Sequence, residues 1–268
     1  MTTDGLEGKD LGISTKLTTV VVEASDPRRL ARFWAQALEW EPTAGGSIAE
    51  GSIADGTSVR PRGAGDVGLL FVRSLRPKTA KNRVHLDLAG DADEVRRLLA
   101  LGATRLDIGQ GAVPWEVLAD PEGNEFCVLP RAGSHGRLAQ ICQDAADPGS
   151  QGRFWAEASG WSIVDEGDWG ISLTSAAGDG PTLVMGPPVA PKEGPNRLQS
   201  ALMASAGSDP AAEAKRLLTA GASPVDMNRA DIERTDIATG ESRRQLLADP
   251  EGNEFLILGR SQAEPSGA

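Results

Sequence analysis

The chemically most versatile side chains of this sequence lie in its first half, where polar residues alternate with apolar ones. His85 is one of only two histidines, and it stands two residues before Asp87. A histidine with a carboxylate partner such as Glu23 or Glu125 can act as a general base or bind a metal ion. Cys127 is a candidate nucleophile if His85 activates it. The alternative for Cys127 is a buried, unreactive thiol.

Aromatic residues offer a second kind of candidate. Four of the six tryptophans recur in equivalent sequence contexts: Trp34, Trp40, Trp155 and Trp161. This recurrence predicts packing in the core. Trp115 and Trp169 have no such counterpart, so both are candidate ligand-binding residues that would stack on a planar ligand. Ordinary packing is the alternative.

The segments around these candidates predict a fixed order of strands and helices. Residues 17–22 form a β-branched run typical of a strand. Asp26 can cap a helix that begins at Pro27, and an apolar stripe follows at Leu30, Phe33, Trp34, Ala37 and Leu38. Strands at 67–72 and 84–88, a second helix around 95–99 and a terminal hairpin over 115–129 complete the pattern.

The second half of the sequence repeats the first. Asp26-Pro27 with Arg32-Phe33-Trp34-Ala35 returns as Asp147-Pro148 with Arg153-Phe154-Trp155-Ala156, and Asn82-Arg83 returns as Asn196-Arg197. Residues 118–126 return unchanged as 247–255. The chain is therefore a duplication. We predict one domain over residues 17–130 and a second over 137–260, joined at the glycine-rich stretch 131–136.

Composition limits the class of partner. The chain has 268 residues, with 27 Lys and Arg against 38 Asp and Glu, and a formal net charge of −11. This charge argues against nucleic acid or an anionic membrane as partner. It suits a neutral or cationic small molecule, or it serves solubility alone. No apolar run approaches the ~18–20 residues of a membrane helix, and the start lacks the pattern of a secretory signal. Two cysteines are too few for a disulfide framework, so we expect a cytoplasmic protein.

Taken together, the repeated motifs resemble the glyoxalase/bleomycin-resistance/dioxygenase (vicinal oxygen chelate) superfamily over nearly all of residues 17–260. They are Asp-Pro with Arg-Phe-Trp, Asn-Arg-Val-His-Leu-Asp-Leu, and Asp-Pro-Glu-Gly-Asn-Glu-Phe. The resemblance implies an α+β fold of tandem glyoxalase-like domains, each with two βαβββ modules that form a curved mixed sheet around a cleft. It does not fix an activity, because the superfamily contains lyases, epimerases, dioxygenases, thiol transferases and metal-free drug-sequestering proteins.

The resemblance also implies three positions for metal ligands. They are a His or Gln on the first strand, a second ligand at the position of His85, and a Glu on the last strand. In the first repeat these positions hold Thr19, His85 and Cys127, and in the second Gln140, Gln199 and Leu256. Neither set contains the carboxylate, so we expect no family-type metal centre. A divalent metal held in another way is the alternative.

Strand alternation extends these positions to whole cleft faces. Grouped by repeat, the first cleft would hold Glu23, His85, Asp87, Glu125 and Cys127, an acidic and titratable set. The second would hold Gln140, Cys142, Asp144, Gln199, Ala201, Met203, Glu254 and Leu256, a more apolar set. Leu86, Leu88, Phe126 and Val128 would face the core. If one repeat is functional, we expect it to be the first. The alternative is a solvated sheet face without function.

These observations favour a metal-free, small-molecule-binding protein of the bleomycin-resistance kind, with a cationic or aromatic ligand near Glu23, His85, Asp87, Trp115 and Trp169. The rival hypothesis is a lyase, isomerase or dioxygenase that uses His85 with Glu125, Glu23 or Cys127, with or without a divalent metal. A third hypothesis is a scaffold. Because single-domain relatives pair as dimers, we expect a monomer with an internal pseudo-dimer.

Overall fold

The chain folds into four modules of similar construction, each with a first strand, an α-helix and three further strands of a large sheet; module 1 has an additional small hairpin. The computed structural model describes residues 15–44, 47–48, 51–52, 56–61, 67–130, 136–178, 180–225 and 244–259. Two modules come from each sequence repeat. The α+β class expected from the sequence is confirmed.

The strands and helices of the first repeat form modules 1 and 2. Module 1 contains β1 (Thr15–Ala24), α1 (Pro27–Leu38), β2 (Glu41–Ala44), a small hairpin of β3 (Ser47–Ile48) and β4 (Gly51–Ser52), β5 (Thr57–Arg60) and β6 (Gly68–Arg73). Module 2 contains β7 (Val84–Ala89), α2 (Ala92–Ala100), β8 (Thr104–Arg105), β9 (Glu116–Ala119) and β10 (Glu125–Leu129).

The second repeat forms modules 3 and 4 in the same order. Module 3 contains β11 (Leu138–Asp144), α3 (Pro148–Ser159), β12 (Ser162–Gly167), β13 (Gly170–Thr174) and β14 (Thr182–Gly186). Module 4 contains β15 (Leu198–Ala204), α4 (Pro210–Thr219), β16 (Ser223–Pro224), β17 (Arg244–Ala248) and β18 (Glu254–Leu258). None of the helices in the described part of the chain is long and apolar enough to cross a membrane.

Helix α1 begins and ends as its sequence predicts. The Asp26 side chain caps it by accepting from the backbone N–H of Arg29, and Pro27 occupies the first turn. The predicted apolar stripe is buried in one core cluster that includes residues from the backs of both large sheets. Trp34 packs edge-on against Phe126 with ring centroids 5.3 Å apart. The recurring tryptophans are therefore core residues, as predicted, with Trp40 partly buried against the same cluster.

The strands form two eight-stranded sheets, and each sheet takes half of its strands from each repeat. Sheet I has the order β16-β17-β18-β15-β1-β6-β5-β2, which joins modules 4 and 1. Sheet II has the order β12-β13-β14-β11-β7-β10-β9-β8, which joins modules 3 and 2. The grouping of cleft residues by sequence repeat therefore needs correction. Each cleft face is built from one module of each repeat, because the first strands of the modules pair across repeats.

The two sheets are built on the same register. In sheet I, β1 pairs antiparallel with β15, which places Val21 opposite Gln199. In sheet II, β11 pairs antiparallel with β7, which places Cys142 opposite His85. Both ladders contain the same register irregularity, after Leu17 in one and after Leu138 in the other. This internal pseudo-symmetry lets each position of one sheet be compared with its counterpart in the other.

Buried arginines tie the two sheets together. Arg197, at the start of β15 in sheet I, contacts Glu122 in the β9–β10 turn of sheet II, with an N–O separation of 3.3 Å. Arg83, before β7 in sheet II, contacts Glu251 in the β17–β18 turn of sheet I at the same distance. Glu122 also accepts from the backbone N–H groups of Ser25 and Asp26.

Candidate functional site

A cluster of polar side chains lies on the face of sheet II that points away from the helices and the main core, which we call its cleft face. Strand β7 supplies His85 and Asp87, while Leu86 and Leu88 point to the core on its other face. His85 Nε2 is 3.4 Å from Asp87 Oδ1. Asp87 is 4% exposed, whereas 19% of the His85 side chain remains exposed. His85 is therefore the group of this pair that an incoming molecule can reach.

Two thiols and an amide surround the His85–Asp87 pair. Cys142 on β11 donates its thiol hydrogen to Asp87 Oδ2 at 3.1 Å. Its sulfur is also 3.6 Å from Gln140 Oε1. On the other side of β7, Cys127 of β10 is the register partner of Asp87. Asp87 thus lies between a cysteine of each repeat.

Both thiols are held in the protonated form. Burial raises the pKa of Cys127, and the neighbouring Asp87 carboxylate raises it further. Burial likewise raises the pKa of the Cys142 thiol, with additional contributions from Asp87, Cys127 and Asp144. A thiol reacts as a nucleophile through its thiolate. The arrangement therefore does not activate Cys127 as a nucleophile at neutral pH.

The counterparts of this cluster in sheet I are mostly apolar. The positions of Asp87, Cys127 and Cys142 are taken there by Ala201, Leu256 and Val21, which belong to a second apolar cluster. The position of His85 is taken by Gln199, whose side chain donates to the backbone oxygen of Asn196. The same backbone framework thus holds an apolar face in one sheet and a titratable face in the other.

Three of the acids predicted to lie in the clefts form ion pairs with lysine or arginine. Glu125 lies 2.6 Å from Lys78 Nζ, and Asp144 lies 2.9 Å from Lys81 Nζ. Glu23 pairs with Arg76 at 2.6 Å, and it lies in sheet I rather than beside His85. The structure therefore does not bring Glu23 to the histidine, because β1 pairs with β15 and β7 pairs with β11.

Trp115 and Trp169, the two tryptophans without a counterpart in the other repeat, lie near opposite edges of sheet II. Trp115 precedes β9 and is 38% exposed. It lines an open groove of about 460 Å³. Other lining residues are Arg105, Leu106, Asp107, Val113, Glu116 and Val117. Trp169 lies in the β12–β13 turn at the other edge of the sheet. One small ligand ring cannot contact both tryptophans. Of the two, Trp115 is the one that lines this groove.

Comparison with known proteins identifies the family. The model of the glyoxalase-like domain matches residues 19–129 and 140–258, which together are most of the chain. The chain therefore belongs to the glyoxalase-like domain family and carries two copies of the domain. No curated protein matches it.

Solved structures with the same fold include two that span nearly the whole chain. Glyoxalase I from Zea mays has a TM-score of 0.64 at 13% identity, with 92% of this chain and 93% of that chain covered. A proposed dioxygenase from Bacillus subtilis has a TM-score of 0.56 at 12% identity, with 93% and 86% covered. At these identities the likeness concerns the fold.

The metal-ligand positions that the superfamily resemblance implies are redistributed by the pairing between repeats. Sheet II brings together Gln140, His85 and Cys127, and sheet I brings together Thr19, Gln199 and Leu256. Neither sheet supplies the carboxylate at the last-strand position. In sheet II that position holds a thiol whose pKa is raised. These sets do not fit the oxygen- and nitrogen-rich centre that the resemblance implies.

Grouping by repeat missed two residues of the cluster, Gln140 and Cys142. Both were placed with the second repeat, although β11 lies beside β7 in sheet II. The sequence offers no clear signal for this pairing. Strands β7 and β11 both mix polar with apolar residues, and nothing in either strand names its partner.

Proposed function

We propose that this protein binds a small molecule in the cleft of sheet II, without the metal-ligand set implied by the superfamily resemblance. The observation that carries the proposal is the contrast between equivalent positions. Sheet II holds the partly exposed His85 and the buried Asp87, Cys127 and Cys142 where sheet I holds a glutamine and three apolar residues. Folding does not require the polar set, since its counterparts pack without it.

The groove at Trp115 supports an aromatic or cationic ligand. An indole face attracts both planar rings and cations. Asp107 and Glu116 border the groove, and the whole chain is acidic. Val117 in the groove is the register partner of Cys127, which in turn pairs with Asp87. The groove and the polar cluster therefore belong to the same face of sheet II, with β10 between them.

Calorimetric titration with a panel of cationic aromatic antibiotics tests this proposal. Saturable binding should weaken about 10-fold in His85→Gln, because a polar contact of about 1.4 kcal/mol corresponds to that factor. Trp115→Leu should weaken it by roughly 10-fold through loss of stacking or cation–π contact. Trp169→Leu is the matched control and should bind as the wild type does. Silence across the panel, or loss only in Trp169→Leu, contradicts the proposal.

The His85–Asp87 pair favours a second candidate function, an enzyme of the lyase, isomerase or dioxygenase type. A carboxylate 3.4 Å from an imidazole can orient it as a general base. Asp87 is then a better partner for His85 than Glu125 or Glu23, which pair with Lys78 and Arg76. Turnover that disappears in His85→Gln while ligand binding persists would favour this function. Equal turnover in both proteins would exclude a role for His85.

A further inference from the structure

Three side chains of the sheet II cluster place atoms that can bind a metal ion close to one another. Ligand atoms of His85, Asp87 and Cys142 all lie within 4.8 Å of one another. Two separations are already short, 3.1 Å from Cys142 Sγ to Asp87 Oδ2 and 3.4 Å from Asp87 Oδ1 to His85 Nε2. Ligand atoms of a tetrahedral zinc site lie roughly 3.5 Å apart, given bonds of about 2.0–2.3 Å. Small side-chain movements would therefore enclose an ion.

Asp87 also has no lysine or arginine partner among the described residues, unlike the neighbouring buried acids. Its Oδ1 atom is buried without a hydrogen-bond partner among the described residues, as is His85 Nδ1. The other buried acids on these faces have partners: Glu23 pairs with Arg76, Glu125 with Lys78 and Asp144 with Lys81. Burying a carboxylate costs free energy unless a cation or donors compensate it. Among the described residues, Asp87 thus has no lysine or arginine to compensate its charge, and its contacts are with His85 and the Cys142 thiol.

We propose that His85, Asp87 and Cys142 bind a zinc ion in the cleft of sheet II. A combination of imidazole nitrogen, carboxylate oxygen and sulfur suits zinc, whereas Mg²⁺ and Ca²⁺ require oxygen ligands. Three protein ligands leave a fourth position for water or for the small molecule. The set shares only His85 with the positions that the superfamily resemblance implies. The inference rests on the same cleft as the proposed function, but ligand binding does not require it.

Binding changes the protonation of one group. The zinc ion forms a bond with Cys142 Sγ, and the thiol proton leaves to solvent. Each zinc ion taken up should therefore release one proton from the thiol. Affinity should rise with pH, because zinc binding releases a proton and solvent takes up that proton more readily at higher pH.

Sheet I supplies variants that are compatible with the fold. His85→Gln, Asp87→Ala and Cys142→Val copy Gln199, Ala201 and Val21, which occupy the equivalent backbone positions. Cys127→Leu copies Leu256 and removes the other thiol without touching the three ligands. The full-length protein is stripped with a chelator, dialysed and titrated with Zn²⁺ or Co²⁺. Bound zinc is measured by atomic emission, and thiolate ligation by the charge-transfer absorption of Co²⁺.

The wild type and Cys127→Leu should each bind one zinc ion, and Co²⁺ should show a thiolate band in both. Each ligand variant should bind at least about 100-fold more weakly, since even indirect partners of zinc ligands contribute 10- to 100-fold. Absence of stoichiometric zinc in the wild type, full binding by Cys142→Val, or loss in Cys127→Leu overturns the proposal. A wild type that binds the small molecule but takes up no stoichiometric zinc overturns this inference alone. Zinc binding with silence across the antibiotic panel overturns the proposed function alone.

Discussion

Cys142 from the second repeat lies directly opposite His85 from the first, in the antiparallel ladder between β11 and β7. The cluster in sheet II is therefore a joint product of both repeats. The equivalent pair in sheet I is Val21 opposite Gln199. Since the two ladders share one register, the difference between the sheets lies in side chains alone. Duplication has thus produced two frameworks, of which one has a polar cleft face.

The first prediction concerns the stability of the polar face. We expect Asp87→Ala, measured with chelator present, to leave the free energy of unfolding unchanged or to raise it by about 1 kcal/mol. The loss of the bond from the Cys142 thiol to Oδ2 is offset by removal of the buried Oδ1 atom, which has no hydrogen-bond partner among the described residues. The same variant should lose binding in the sheet II cleft. Stability would be measured by urea unfolding.

Asp144→Ala is the matched control for this prediction. Asp144 is equally buried but pairs with Lys81 and accepts from the backbone N–H of Ala190. Its loss should lower the free energy of unfolding by roughly 3 kcal/mol, the low end of the range for breaking a buried ion pair, because Lys81 is partly exposed. Equal destabilisation by the two variants would show that Asp87 has a structural role instead.

Strand faces could be predicted from the sequence with good accuracy. Alternation along β7 assigned Leu86 and Leu88 to the core and His85 and Asp87 to the cleft, and the structure has this arrangement. The physical reason is that side chains of a strand alternate between two faces whatever its neighbours are. The helix cap at Asp26 is equally local and was equally predictable.

Partner strands could not be predicted in the same way. The two repeats carry the same alternating pattern, so pairing within a repeat and pairing between repeats satisfy it equally. Choosing between them requires long-range contacts, such as those of Arg197 with Glu122. Ion pairs like Glu125 with Lys78 also depend on loop geometry. For this reason the prediction of which repeat supplies each cleft residue was wrong. The prediction of the face to which His85, Leu86, Asp87 and Leu88 point was right.

The second prediction concerns thiol reactivity. Because burial and Asp87 raise the pKa of Cys127 and Cys142, both should react with iodoacetamide at pH 8 about 10-fold or more slowly than a free cysteine in the chelator-treated folded protein. In urea both should react fully. Mass spectrometry of the modified peptides gives the rates. A third thiol introduced by Leu75→Cys, at a position 72% exposed, is the control and should react at the ordinary rate. Rapid modification of either native thiol in folded protein would contradict the proposed protonated state.

The third prediction concerns pH. Burial raises the pKa of Asp120, although Asn124 and Trp34 donate hydrogen bonds that oppose the shift. An acid whose pKa is raised on folding binds its proton more tightly in the native state. Its contribution to stability therefore increases as the pH falls through the folded pKa and is lost as the pH rises. Asp249 in the second repeat has the same direction of shift.

Asp120→Asn removes this titration. The free energy of unfolding of the wild type minus that of the variant should therefore increase as the pH is lowered from 7 towards 5. Urea unfolding at several pH values measures this difference. If the free energy of unfolding of the wild type minus that of Asp120→Asn decreased on acidification, the raised pKa of Asp120 would be contradicted.

The fourth prediction concerns the contacts between sheets. Arg197 is buried and makes four hydrogen bonds, to the backbone oxygens of Glu23 and Arg76 and to the side chains of Asn124 and Glu122. Arg83 makes two, both to Glu251. Arg197→Met should therefore lower the free energy of unfolding by roughly 3–5 kcal/mol, the range for breaking a buried ion pair, and Arg83→Met by less.

An exposed arginine provides the control for this comparison. Arg96 pairs with Asp93 on the surface of α2, and both side chains are mostly exposed. Arg96→Met should change the free energy of unfolding by no more than about 0.5 kcal/mol, because solvent screens such pairs. Urea unfolding of the three variants gives the order. If Arg83→Met cost as much as Arg197→Met, the number of buried hydrogen bonds would not determine how strongly each arginine holds the sheets together. If Arg96→Met matched them, burial would not matter either.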